Sequence, residues 1–317
     1  TSTAQTGGTV IASIAVGLVS DPAGNTSAAS TSTDNTVTYD TVRPTLTSIN
    51  RSTGATNPTN TGPLTWTATF VEPVSGVTAS NFGVATSGIT GTAPSITSVA
   101  TTDGSTLSTT WVITVSTTGA IGANAGSIGV NLTSATGIAD AATNTLSTAT
   151  LTGQTYTYDT TVPTVTVALA AASDTGSSSS DGITSAATLT YNVTFSESVT
   201  GLATGDFSLS GTSCTLGVLS GSGTTYTLTV TSCADGASVG LSVLANAVSD
   251  AAGNSGPAAT TAAATVTIDR TGPTVTINQA ATQADPANAS PVLFRVVFSE
   301  PINVSSFTAA DVTIGGT

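Results

Sequence analysis

Three short segments of this chain are set to one internal ruler. Asp21-Pro-Ala-Gly-Asn25, Asp140-Ala-Ala-Thr-Asn144 and Asp250-Ala-Ala-Gly-Asn254 each read as a tight acidic loop. Nineteen residues beyond the first Asp of each loop stands a second Asp, at Asp40, Asp159 and Asp269. A proline follows that Asp four residues later, at Pro44, Pro163 and Pro273. An offset held three times marks an array, and its period decides the architecture before any local propensity does. The copies lie 119 and 110 residues apart, the size of a β-sandwich domain and far longer than a solenoid repeat. The expected organisation is the end of one domain at 1–43, complete domains at 44–162 and 163–272, and the start of another at 273–317.

Local patterning agrees with sandwiches. Leu64-Thr-Trp-Thr-Ala-Thr-Phe70 alternates strictly, which puts Leu64, Trp66, Ala68 and Phe70 on one face of a strand. Leu189-Thr-Tyr-Asn-Val-Thr-Phe195 repeats it position by position, and Val292–Phe298 is a third copy. Trp66, Tyr191 and Phe294 therefore share one position, as do Phe70, Phe195 and Phe298, and all six are expected in cores. Ile96–Thr101 and Leu107–Val115 read as a hairpin with Trp111 pointing inward. About seven short strands fall in each complete domain, joined by turns rich in Gly, Ser and Thr.

Composition removes several function classes. The chain has 17 acids against 4 bases and no basic patch, which argues against a nucleic-acid partner. No apolar run approaches the roughly 20 residues of a membrane helix. His, Lys and Met are absent, so Ser-His-Asp, Cys-His and Ser-Lys machineries cannot be built. Cys214 and Cys233 flank a strand-rich segment. They favour a disulfide, and with it an extracellular setting, over two separate buried thiols.

The combination Phe195-Ser-Glu-Ser-Val199, Gly205-Asp-Phe207, Asp250-Ala-Ala-Gly-Asn254 and Val266-Thr-Ile-Asp-Arg-Thr-Gly-Pro273 resembles the tandem bacterial immunoglobulin-like domains of large secreted surface proteins and adhesins. The resemblance runs over essentially the whole chain. It implies an all-β chain of immunoglobulin-like sandwiches, a cell-surface or secreted location, a stalk or adhesive role and, in some relatives, calcium at domain junctions. Thr143 departs from the loop pattern, which usually has Gly there, and puts the turn geometry of that copy in question.

The acids carry the one chemical signal. Nine of the 17 occupy three repeated positions: the loop Asp (21, 140, 250), the hinge Asp (40, 159, 269) and a Glu two residues past the alternating strand (72, 197, 300). In a seven-stranded sandwich the second and sixth strands end at the same pole, where the hinge also enters. Asp159, Glu197, Asp250 and Asn254 should therefore meet, as should Asp40, Glu72, Asp140 and Asn144, with Asp269 and Glu300 starting a third set. Gathered carboxylates repel unless a cation joins them, and hard oxygen donors suit Ca²⁺. The competing reading is Asx-turns with solvated acids, Arg43 and Arg270 neutralising two of the hinges. Asp206 begins a strand near the same pole and is a weaker candidate ligand.

The functional expectation is a non-enzymatic stalk or filament segment stiffened by Ca²⁺, its partners being neighbouring domains of the same chain. Paired carboxylates also occur in glycosidases, but an acid set that recurs in every repeat fits a structural task better. Two rivals remain. One is a glycan- or protein-binding module, which needs exposed aromatics. The other is a self-assembling subunit in which the tail of one copy completes the head of another copy by strand complementation.

Overall fold

The computed structural model describes residues 7–176, 178–211 and 213–316, without the side chains of 123–125. The first six residues of the leading fragment, Ser177 in the Gly/Ser-rich loop, Thr212 and Thr317 lie outside the described residues. The chain forms two compact units, Thr1–Thr161 with Ala251–Asn254, and Val162–Asp250 with Ser255–Thr317.

The first unit opens with a two-stranded antiparallel pair, β1 (Gly8–Ile11) and β2 (Thr36–Tyr39). Seven strands follow: β3 (Leu46–Arg51), β4 (Leu64–Val74), β5 (Phe82–Gly91), β6 (Ser95–Ala100), β7 (Ser108–Ser116), β8 (Ala120–Leu132) and β9 (Leu151–Tyr158). They form a four-stranded sheet in the order β3-β4-β7-β6 and a three-stranded sheet in the order β5-β8-β9, the pairing of an immunoglobulin-like sandwich with seven strands. The alternation along β4 is realised as burial: Leu64, Trp66, Ala68 and Phe70 are at most 4% exposed. Burying each of the large apolar ones contributes about 1.5–3 kcal/mol. Trp66 and Tyr156 meet edge to face at 4.9 Å and lock the two sheets reciprocally. Trp66 Nε1 donates to the Gln154 carbonyl at 2.8 Å, and Tyr156 Oη donates to the Thr65 carbonyl at 2.9 Å. Two buried polar tips are thus satisfied by the facing sheet.

The second unit repeats the plan with β10 (Val165–Leu169), β11 (Ile183–Thr184), β12 (Thr188–Val199), β13 (Phe207–Ser210), β14 (Thr215–Thr231), β15 (Ser238–Val243), β16 (Val248–Ser249), β17 (Ser255–Gly256), β18 (Thr261–Ala262) and β19 (Val266–Ile268). One sheet runs β10-β12-β14, and the other runs β11-β19-β15-β13 with β18 on β15. β14 turns back on itself at Gly221 and Gly223, whose φ values are +110° and +66°. Hydroxyl pairs Ser220–Thr227 and Thr215–Thr231 tie its two halves, and a Cys214–Cys233 disulfide closes its base. Tyr226 pairs with Val193 as Trp111 pairs with Ala68, so the two units share one register. A last strand pair, β20 (Val275–Gln279) and β21 (Phe294–Phe298), is followed by two 3₁₀ turns, Val304–Ser306 and Ala309–Asp311. Here the expected core placement fails: Phe294 is 62% exposed, whereas its counterparts Trp66 and Tyr191 are fully buried. Alternation puts Phe294 on one face of β21, but burial needs a second sheet against that face, and β20–β21 is a sheet of two strands.

Candidate metal centre

The site grows from three local devices in the first unit. The first is a break in the β4–β7 ladder between Thr69 and Val74, inside which Glu72 falls. Such bulges re-aim side chains at sheet ends, and Pro73 next to it has no N–H to give the ladder. The second is the loop. Asp140 and Asn144 close a miniature hairpin: Asp140 N donates to the Asn144 carbonyl at 3.1 Å, and Asn144 N donates to Asp140 Oδ1 at 2.8 Å. Ser75 and Ala139 exchange backbone hydrogen bonds of 2.8 and 3.2 Å, which ties the end of β4 to the loop. The third is the hinge, where Asp40 Oδ1 accepts from Val42 N at 2.8 Å in an Asx-turn.

Asn144 joins the last two devices. Its Nδ2 donates to Asp140 Oδ2 at 2.9 Å and to the Asp40 carbonyl at 3.1 Å. One oxygen from each of Asp40, Glu72 and Asp140 then lies within 4.8 Å of the others. Asp140 is 5% exposed. Burial, followed by the charges of Asp140 and Asp40, raises the Glu72 pKa above its ordinary 4.5. Arg43 does not neutralise the set. Its guanidinium donates to the carbonyls of Thr145 and Leu146 and to Thr145 Oγ1, at 2.9–3.0 Å. Arg270 likewise donates to the carbonyls of Ser185, Ala186 and Cys233. In place of the hinge neutralisation of the competing reading, both guanidiniums cap backbone carbonyls.

Asp159 and Asn254 belong to the first unit, and Glu197 and Asp250 to the second. Within the first, Asn254 Nδ2 donates to the Asp159 carbonyl at 3.0 Å, and Asp159 Oδ1 accepts from Thr161 N at 2.8 Å. Within the second, the β12–β14 ladder breaks between Thr194 and Val199 around Glu197. Thr200 and Ser249 exchange hydrogen bonds of 2.8 and 3.0 Å beside Asp250. These contacts repeat those of the first set. Asp269 and Glu300 line one cavity of about 410 Å³ in the second unit, together with Asp181, Ser185 and Asn303. Asp206 accepts from Ala203 N at 2.8 Å as part of a 3₁₀ turn, a local structural role.

The leading loop holds the same geometry. Asp21 Oδ1 accepts from Ala23 N and Asn25 N, and Asn25 Nδ2 donates to Asp21 Oδ2, all at 2.9 Å. The Asn25 side chain, then its backbone N–H, hold the Asp21 pKa below the ordinary carboxylate value. Thr143 keeps the turn at φ +68°, where Gly24 and Gly253 stand at +88° and +92°.

Sequence reasoning missed Asn60. Its Nδ2 donates to Asn254 Oδ1 at 3.0 Å. No spacing flags it, because the equivalent residue in the next copy is Ser185. The match follows from the parallel pairing of Thr59 with Tyr158 and of Thr184 with Ile268.

Residues 159–267 match the family described as bacterial Ig-like domain. This segment is similar to bacterial Ig-like domains. The preceding residues 40–158 carry the matching strand pairing, bulge, loop and hinge, so the same plan is repeated along the chain. No curated protein matches the chain. Among solved structures, the N-terminal part of the bacterial S-layer protein SbsC aligns at 15% identity and TM-score 0.25 over 72% of this chain and 44% of that one. The chain thus spans less than half of that structure. The D0-D1 domain of intimin aligns at 20% identity and TM-score 0.21 over 71% of this chain and 98% of that one. Scores this low carry no inference about this chain.

Proposed function

We propose that the chain is a non-catalytic structural segment of an extracellular bacterial surface protein or adhesin, and that its acid sets hold Ca²⁺ and stiffen the hinges. The observation that carries the reading is the meeting of Asp40, Glu72 and Asp140 beside an arginine whose guanidinium is spent on carbonyls. The raised pKa of Glu72 comes first from burial and then from the charges of Asp140 and Asp40, and a divalent cation would reverse its sign. The donor set fits: all three residues offer hard oxygens, and a calcium ion takes 6–8 of them. Asp40, Glu72 and Asp140 would hold one ion, and Asp159, Glu197 and Asp250 are the corresponding residues of the next copy. Asn144 and Asn254 orient the hinge carbonyls, and Asp269 with Glu300 would contribute to a further site. An ion held in part by a hinge residue restricts the hinge, which is the stalk's task.

Other observations support the same reading. The family is bacterial, and the disulfide suits an oxidising compartment. The aromatics Trp66, Trp111, Tyr156, Tyr158 and Tyr191 are buried, which disfavours a sugar-binding aromatic platform. Calorimetric titration of the EDTA-treated full chain with CaCl₂ tests the proposal. Binding with a dissociation constant on the order of 10⁻⁴–10⁻³ M is expected, as for extracellular modules, with one site fewer in Asp140→Ala. Small-angle scattering should show a narrower distribution of dimensions with Ca²⁺ than with EDTA. No heat of binding up to several millimolar, or scattering indifferent to Ca²⁺, would overturn it.

A further inference from the structure

We propose that Asn60 and Asn254 form a metal-independent latch, which holds loop residues 251–254 on the first unit and fixes the Asp159 hinge. The proposal deepens the hinge reading above and rests on it, but it concerns what keeps the hinge ordered when no cation is bound.

Asn254 is 8% exposed, and its amide is used at both ends. Nδ2 donates to the Asp159 carbonyl and Oδ1 accepts from Asn60 Nδ2, each at 3.0 Å. A buried amide paired on both sides is costly to displace, because release breaks both hydrogen bonds at once. Both anchors sit on the end of β9. Thr59 N donates to the Thr157 carbonyl and Asp159 N to the Thr59 carbonyl, both at 3.0 Å, which fixes Asn60 next to the hinge. Residues 251–254 belong to the first unit, with Asn60 and Asp159. Gly253 runs at φ +92° with the Asn60 amide 3.8–3.9 Å from where a Cβ would stand, so the loop backbone lies close over Asn60. Each partner has a distinct part: Asn60 is a donor only at this contact, and Asn254 converts that donation into a hold on the hinge carbonyl.

The test is hydrogen exchange on the full chain in EDTA, followed by mass spectrometry of peptides spanning 157–164 and 246–256. Asn60→Ala should raise exchange in both peptides roughly fivefold, the worth of one net hydrogen bond. Asn60→Asp should raise it further, because it turns an acceptor toward Asn254 Oδ1. Asn144→Ala, in the earlier copy, should leave both peptides unchanged. Thermal midpoints of both Asn60 variants should stay close to that of the parent, which separates local release from misfolding. Unchanged exchange in both variants, or Asn60→Asp no worse than Asn60→Ala, would overturn the latch. Since no Ca²⁺ is present, these outcomes are independent of whether the acid sets bind metal.

Discussion

Thr143→Gly should stabilise the first unit. Thr143 is a β-branched residue at φ +68°, in the left-handed region that its counterparts Gly24 and Gly253 occupy without a Cβ. Placing such a residue there costs about 1–3 kcal/mol. The loop holds it because the flanking contacts are strong: Thr143 N donates to the Asp140 carbonyl at 3.2 Å, and the Asp140 carboxylate grips Asn144 twice. Glycine removes the strain but adds unfolded-state entropy worth about 0.5–1 kcal/mol. The net expectation is a gain of about 1 kcal/mol, or roughly 2–4 °C in the transition of a unit this size. Differential scanning calorimetry of the full chain, with Thr143→Ala beside it, measures this. Alanine keeps the Cβ clash and should recover less than glycine. A neutral or destabilising Thr143→Gly would refute the reasoning, since it would mean that Thr143 side-chain contacts outweigh the backbone strain.

Two further substitutions probe the second unit. Tyr191 is fully buried, its hydroxyl has no hydrogen-bond partner among the described residues and burial raises its pKa; Tyr191→Phe should therefore raise stability to urea by about 1 kcal/mol. Replacing Cys214 and Cys233 by Ser should cost about 3 kcal/mol, the chain-entropy value for a loop with this sequence separation of 19, read as a lower urea midpoint with an unchanged spectrum of the folded state.

How much of this could be read in advance follows from what each feature depends on. The faces of β4 and β12 were legible because alternation is a property of one strand, and Trp66, Phe70, Tyr191 and Phe195 are buried as the pattern requires. Phe294 obeys the same pattern and is exposed, because burial belongs to the pair of sheets and not to the strand. The hinge–loop partnership was legible in the recurrence of loop and hinge acids together with the strand topology, which the Asn144-to-Asp40 and Asn254-to-Asp159 hydrogen bonds realise across 104 and 95 residues. The bulges that place Glu72 and Glu197 were not, since a register shift depends on the partner strand. Nor were the targets of Arg43 or the reach of Asn60, since neither position repeats: Val162 and Ser185 stand there in the next copy.

The acid set also dictates how stability responds to pH, and the sign depends on the cation. Without metal, the folded state raises the Glu72 pKa above 4.5, through burial and the charges of Asp140 and Asp40. Between 4.5 and the raised value the folded chain binds more protons at Glu72 than the unfolded chain does, so stability falls as pH rises through that window. The Glu72 contribution is therefore full below pH 4.5 and lost above the raised pKa. In EDTA at pH 7, Glu72→Gln should then stabilise the first unit, and the gain should vanish on acidification below pH 4.5. With millimolar Ca²⁺ the order reverses: the carboxylate becomes a ligand, protons compete with the ion, and Glu72→Gln should destabilise at pH 7. Thermal midpoints of parent and variant at both pH values, with EDTA and with Ca²⁺, give the four comparisons. If Glu72→Gln has the same effect with and without Ca²⁺ at pH 7, the cation does not sit among Asp40, Glu72 and Asp140. If it stabilises equally at pH 7 and below 4.5 in EDTA, ionisation of Glu72 is not what raises the free energy of the set.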